Sequence, residues 1–379
     1  MPATSRTGRR FLAGPILTLA LWVTVAAGAS PPTARSPEGW IRIPGGNGTG
    51  CAPGTPFSFF HREGTDSRRP LVYFEGGGAC WDWVSCSGLF DSSVEADELT
   101  DFSGIFDREN PRNPFRSFEI VFIPYCTGDV HFGTKQAGMV PALTTPQKFV
   151  GYFNMKTYIG RIVPTYKDRV SKVVIAGSSA GGFGAALNFS MVQDAFGDIP
   201  VTVLDDSGPP FDDQYMPVCM QKRWRDAWGL NDAMPPDCEE CFQADGGGML
   251  HLTDFLERKH PNAKIGLISS MQDEVIRLFY SVGLQDCANY DTADPVAVVL
   301  LQIDPNSYFP AQQYTDGLNA LRSTYMPTGR MASYFMGGVN ITYHQHLFRD
   351  RFYDSTAGSE TIAQFATNLI NGQVDTVGP

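Results

Sequence analysis

Charge is scarce in this sequence. Only 18% of its 379 residues are Asp, Glu, Lys or Arg while 42% are hydrophobic, so charge does not keep this chain disordered. The positive sign is the scarcer one. With 29 Lys and Arg against 40 Asp and Glu, the net charge of −11 leaves no electrostatic footprint for nucleic acid. After the first thirty or so residues, no uninterrupted apolar run reaches the length of a membrane span. Internal repeats are missing as well. The single CxxC, Cys238 to Cys241, has neither a second CxxC nor an HxxxH partner at zinc-site spacing, which argues against a metal centre. No metal or organic cofactor is expected.

The N-terminus does carry a message. Arg6, Arg9 and Arg10 precede the apolar run FLAGPILTLALWVTVAA and the small-residue site Ala27-Gly28-Ala29, so residues 1–29 read as a signal peptide. Arg9-Arg10 followed by Phe-Leu hints at twin-arginine export, and an uncleaved anchor is the alternative. A secreted or periplasmic protein is the expectation. Eight cysteines, an even count in an oxidising compartment, then favour disulfides. The glycosylation pattern at Asn47, Asn188 and Asn340 matters only in a secretory-pathway host.

After a Pro- and Ser-rich lead-in over 30–40, six short apolar runs follow: PLVYFEGGG, FEIVFIPYC, KVVIAGSSA, VTVLDDSGP, AKIGLISSM and MASYFMGG. Their hydrophobicity is continuous rather than alternating, which suits strands covered on both faces of a parallel sheet. The segments between them are long enough for helices, and the class is α/β. Residues 41–379 read as one domain with insertions near 79–117 and 209–262, rich in aromatics, Cys and Pro, of the kind that cap a site.

The run KVVIAGSSAGGFGAA stops abruptly in small residues. A strand that turns sharply into a helix strains the turn residue, and only small neighbours leave it room. In G-x-S-x-G, Gly177 and Gly181 flank Ser179 so that its hydroxyl projects from the top of the sheet. The helix that follows points its N-terminal N–H groups at the same spot, where the Ala180 N–H can hold an oxyanion. Ser178 is the neighbouring register, and a mere packing turn is the bland alternative.

A serine nucleophile needs a base and an orienting acid, and in an α/β-hydrolase these follow later strands in the order acid, then His. After AKIGLISSM the first carboxylate is Asp273, with Glu274 second choice. After MASYFMGG come His344 and His346, which on an extended segment face the same side, so spacing does not choose between them. His251 and His260 lie in or beside a helical stretch and are expected on the surface. Gly76, Gly77 and Gly78 after an earlier buried strand offer backbone N–H groups for the second half of an oxyanion hole. A phosphate nest is disfavoured, since no Lys-Ser/Thr follows.

The stretches YFEGGGAC, IPYCTGDVHFG, GSSAGGFG and DDSGPPF and the Asp-Glu turn at Asp273 together resemble the pectin acetylesterase and Notum family of serine carboxylesterases, as a bacterial-type member, over roughly Gly50 to Tyr353. The resemblance implies an α/β-hydrolase fold, a triad of Ser179, Asp273 and His344, and an oxyanion hole from Gly77, Gly78 and Ala180. It favours His344 because family members place a His three residues before a Leu or Ile and ahead of an element like Arg351-Phe352-Tyr353. It also implies the pairs Cys80–Cys86 and Cys51–Cys126, with Cys238–Cys241 and Cys219–Cys287 expected for the rest. Gly78 stands where animal members carry a Trp, and Trp81 and Trp83 are candidates to supply that surface. His131 is a further candidate near the site, while Asp129 and Asp206 are expected to brace loops by accepting N–H bonds.

The implied activity is hydrolysis of an O-acyl ester through an acyl-enzyme by a secreted monomer, with an acetylated carbohydrate such as pectin as first choice of substrate. Longer acyl chains, in a lipid or polyester, are second. A catalytically inert binding protein on the same scaffold is third.

Overall fold

Leu71 to Phe74, Val173 to Ala176 and their neighbours in sequence are almost all removed from water, and the strands they form carry everything else. The structure, a computed structural model, describes residues 39–379 except 89, 91–98, 100–102, 142, 291–303, 326–328 and 330. The expected signal peptide and most of the lead-in lie outside the described residues.

Six strands match the six apolar runs: β3 (Asp66–Phe74), β4 (Phe118–Ile123), β5 (Val173–Ser178), β6 (Val201–Asp206), β7 (Lys264–Ser270) and β8 (Met331–Met336). They pair in parallel in the order β4-β3-β5-β6-β7-β8, with the short strand Thr376–Val377 parallel on β8. At the other edge, β1 (Trp40–Pro44) and β2 (Ser58–Arg62) add antiparallel. In β5 all six residues are buried, so Val173, Val174 and Ile175 each contribute about 1.5–3 kcal/mol of apolar burial.

The first helices in chain order are α1 (Trp83–Gly88), α2 (Gly151–Tyr166), α3 (Ala180–Phe196), α4 (Val218–Trp228), α5 (Met249–Lys259) and α6 (Glu274–Tyr280). The helix α3 packs on β3, β5 and β6, and Ile362–Ile370 packs on β6 to β8. The latter starts with a capping box, Thr361 and Gln364 bonding each other's backbone N–H. The insertion after β6 holds α4 and α5. The disulfides are Cys51–Cys126, Cys80–Cys86, Cys219–Cys287 and Cys238–Cys241, the four pairs expected. They fit an oxidising compartment. Among the described residues no helix is long and apolar enough to cross a membrane, and no His, Cys, Asp and Glu cluster could hold a metal ion.

This topology places the ends of β3, β5, β6, β7 and β8 along one sheet edge. In an open parallel sheet that carboxyl edge is where ligands bind.

Candidate active site

Ser179 follows directly on β5 with φ 61° and ψ −124°, a backbone conformation that side-chain-bearing residues rarely adopt. Its glycine neighbours make that possible. A Cβ on Gly177 would overlap the carbonyl of Gly181, and one on Gly181 would overlap the carbonyl of Phe74 at the end of β3. The turn is therefore wedged between two strands, and α3 starts at Ala180 with its N-terminus at the Ser179 side chain.

Asp273 caps α6. Its Oδ1 accepts the N–H groups of Val275 and Ile276, each at 3.0 Å, and the residue is fully buried. The same carboxylate meets His344 Nδ1 at 2.8 Å from Oδ2 and 3.0 Å from Oδ1. Glu274, the second choice, is exposed on the first turn of α6.

His346 does not join them. The segment is not extended as expected, because Gln345 adopts φ 60° and turns the two imidazoles apart. His346 is buried, with Nε2 at 3.3 Å from Ser270 Oγ, and burial drives its pKa down to about 4. It is a neutral core histidine beneath the site.

Asp206, at the end of β6, ties these pieces together. Its Oδ2 accepts from Ser178 Oγ at 2.6 Å, His346 N at 2.7 Å and Leu347 N at 3.0 Å, while its carbonyl accepts from Ser179 N at 2.7 Å. One buried carboxylate thus holds both the serine turn and the histidine loop. Asp129 braces in the same manner, accepting from Thr127 Oγ1 at 2.6 Å and Gly151 N at 2.8 Å, and burial pushes its pKa up to about 6.

The glycine turn after β3 closes on the serine from the other side. Gly77 (φ 153°) and Gly78 (φ 81°) take conformations that favour glycine, and a Cβ on Gly76 would come within 2.6 Å of Gln345 Nε2 and 3.0 Å of Ser179 Cβ. Gly78 and Ala180 both line the cavity that opens at Ser179, and Gly77 adjoins Gly78 in the same turn.

That cavity is a partly open cleft of about 20 Å³, walled by Val130, Phe183, Trp224, Ile276, Phe279 and Tyr280. Three expected pocket residues are not among them. Trp81 is buried one layer further back, packed on Trp224, Trp228 and Phe279 with ring centroids 5.5 to 6.1 Å apart. Trp83 points outward from α1 and is 38% exposed. His131 is buried with Nε2 at 2.8 Å from the Glu75 carbonyl and packed on Phe74 and Tyr125, and burial lowers its pKa to about 4. Its work is to seat β3 against α3. His251 and His260 are half-buried rather than surface residues, and His260 bonds Ser190 Oγ at 2.9 Å.

The aromatic wall therefore comes from residues the sequence did not single out, Trp224 within the expected capping insertion, Phe183 on α3 and Phe279 on α6. Trp224 rides on α4, which Trp228 Nε1 anchors to the Cys80 carbonyl at 2.7 Å. The Cys219–Cys287 disulfide joins α4 to the segment that follows α6, the helix that carries Phe279. The one sequence signal was the cysteine- and aromatic-rich insertion itself.

The family model of pectinacetylesterase matches residues 41–244, just over half of the chain. Among curated proteins, the Drosophila melanogaster palmitoleoyl-protein carboxylesterase NOTUM is 29% identical over 211 residues, 51% of this chain and 31% of that protein. The Xenopus laevis palmitoleoyl-protein carboxylesterase notum1' is 32% identical over 174 residues, 42% of this chain and 34% of that one. The chain thus aligns with about a third of the length of these relatives. A solved structure of the Wnt deacylase Notum from Drosophila superposes with a TM-score of 0.61 at 18% identity, covering 86% of this chain and 93% of that one. The shared architecture is the α/β-hydrolase fold.

Proposed function

We propose, starting from the fact that the chain belongs to the pectinacetylesterase family, that it is a secreted serine carboxylesterase acting as a monomer on a short acyl ester of a carbohydrate. His344 takes the Ser179 proton as the hydroxyl attacks the ester carbonyl. The N–H groups of Gly77, Gly78 and Ala180 receive the oxyanion, and Asp273 holds the imidazole in the tautomer that accepts at Nε2. Collapse expels the alcohol, protonated by His344, and water repeats the cycle on the acyl-enzyme. The His344–Asp273 contact of 2.8 Å is the observation that carries this reading.

Acetyl is the acyl group the cavity favours. A space of about 20 Å³ with apolar walls takes a methyl and little more. The relatives' name, palmitoleoyl-protein carboxylesterase, supports a second reading with a long acyl chain, which needs far more room than these walls leave.

Hydrolysis of p-nitrophenyl esters from acetate to palmitate, with Ser179→Ala as control, tests the proposal. Activity peaking at acetate and lost in the variant is expected. Activity that survives the substitution, or peaks at palmitate, contradicts it.

A further inference from the structure

The acyl pocket ends on Phe183, and what lies behind that ring differs from what lies behind the other walls. Trp224 and Phe279 are backed by Trp81, and Tyr280 by Phe211, Phe309 and Tyr314, so each rests on packed aromatic rings. Phe183 instead backs onto a second apolar cavity of about 10 Å³, lined by Leu187, Met216, Met249, Leu252 and Leu256. Among the described residues, Phe183 borders both spaces.

The helix explains the alignment. Phe183 lies one turn after Ser179, its N–H donating to the Ser179 carbonyl at 3.1 Å, and Leu187 lies one turn further. Residues four apart stack along one helix face, so serine, partition and second cavity follow one another in line. The Phe183 ring stands edge-on to Trp224 at 5.9 Å and 84° and lies between the two spaces. Unbranched Met216 and Met249 behind it adapt readily to a new occupant.

We infer that Phe183 is the residue that sets acyl-chain length, and that the space of its ring, once removed, together with the adaptable Met- and Leu-lined cavity behind it admits a medium-length acyl chain. The inference rests on the esterase reading above. Shortening Phe183 joins the two spaces into one apolar channel leading from Ser179 along α3.

The test compares kcat/KM for p-nitrophenyl acetate, hexanoate and octanoate in the wild-type protein, Phe183→Ala and Phe183→Leu. Phe183→Ala is expected to raise the octanoate-to-acetate ratio about tenfold or more, and Phe183→Leu by less, since one methylene in an apolar pocket commonly shifts specificity by about tenfold or more. Refilling the second cavity with Leu252→Phe in the Phe183→Ala background is expected to bring the ratio back. A ratio is insensitive to a general loss of folded enzyme, and Phe183→Leu supplies it if the alanine variant does not fold. Wild-type acetate hydrolysis with a ratio unmoved in both variants overturns the assignment of Phe183 alone. Absence of Ser179-dependent hydrolysis in the wild type overturns the esterase reading and this inference with it.

Discussion

The backbone N–H of His346 donates to Asp206 Oδ2 at 2.7 Å, and the same oxygen accepts from Ser178 Oγ at 2.6 Å. The loop that delivers His344 and the turn that delivers Ser179 are therefore held by one atom. Asp206→Asn keeps an acceptor there but removes the charge that strengthens three bonds. Stability is expected to fall by about 2–3 kcal/mol and kcat by about tenfold with KM little changed, because the reacting groups drift while the pocket stays. Denaturant titration and steady-state kinetics on the variant check both figures, and an unaltered kcat speaks against the coupling.

Buried histidines make stability depend on pH. His131 and His346 each titrate near 4 in the fold against about 6.5 unfolded, so their contribution is complete above pH 6.5 and is lost as pH falls toward 4. Each loses on the order of 2–3 kcal/mol between pH 7.5 and 4.5. Asp129, raised to about 6, and Asp205, raised by burial beside Asp206, act in the opposite direction over that range. The clean readout is a difference: His131→Gln, which can still donate to Glu75, is expected to lose about 2–3 kcal/mol less than wild type on that acidification. Urea midpoints at the two pH values measure it, and equal losses contradict the neutral buried state of His131.

The disulfides divide by loop length. Cys51–Cys126 closes 75 residues and Cys238–Cys241 only 3. The chain-entropy model gives about 4.5 kcal/mol for the first and less than about 2 for the second. Paired Cys→Ala replacements compared in urea are expected to reproduce that order. A larger loss for the short loop contradicts an entropic origin.

Much of this was legible in the sequence, and the reasons are physical. The six central strands announce themselves because burial on both faces demands unbroken apolar runs, as in Val173 to Ala176. The serine turn is legible because its strain forces Gly177 and Gly181 into fixed places. β1 is not legible because it is a short edge strand of mixed burial, with Trp40 buried, Ile41 and Ile43 half-buried and Arg42 and Pro44 exposed, so no unbroken apolar run marks it. The choice between His344 and His346 hung on the φ of Gln345, a tertiary constraint invisible in spacing. The pocket wall escaped for a related cause: Trp224 and Phe279 lie 55 residues apart and meet only through the fold. Trp81, nearer in sequence to the glycine turn, packs behind them instead.

The central claim is that Ser179 is an activated nucleophile served by His344 and Asp273. Labelling the purified protein with a fluorophosphonate probe and locating the adduct by mass spectrometry tests it most directly. One adduct per chain, on Ser179, is expected, absent in Ser179→Ala and slowed by orders of magnitude in His344→Ala. An unlabelled wild-type protein, or labelling unaffected by His344→Ala, contradicts the account.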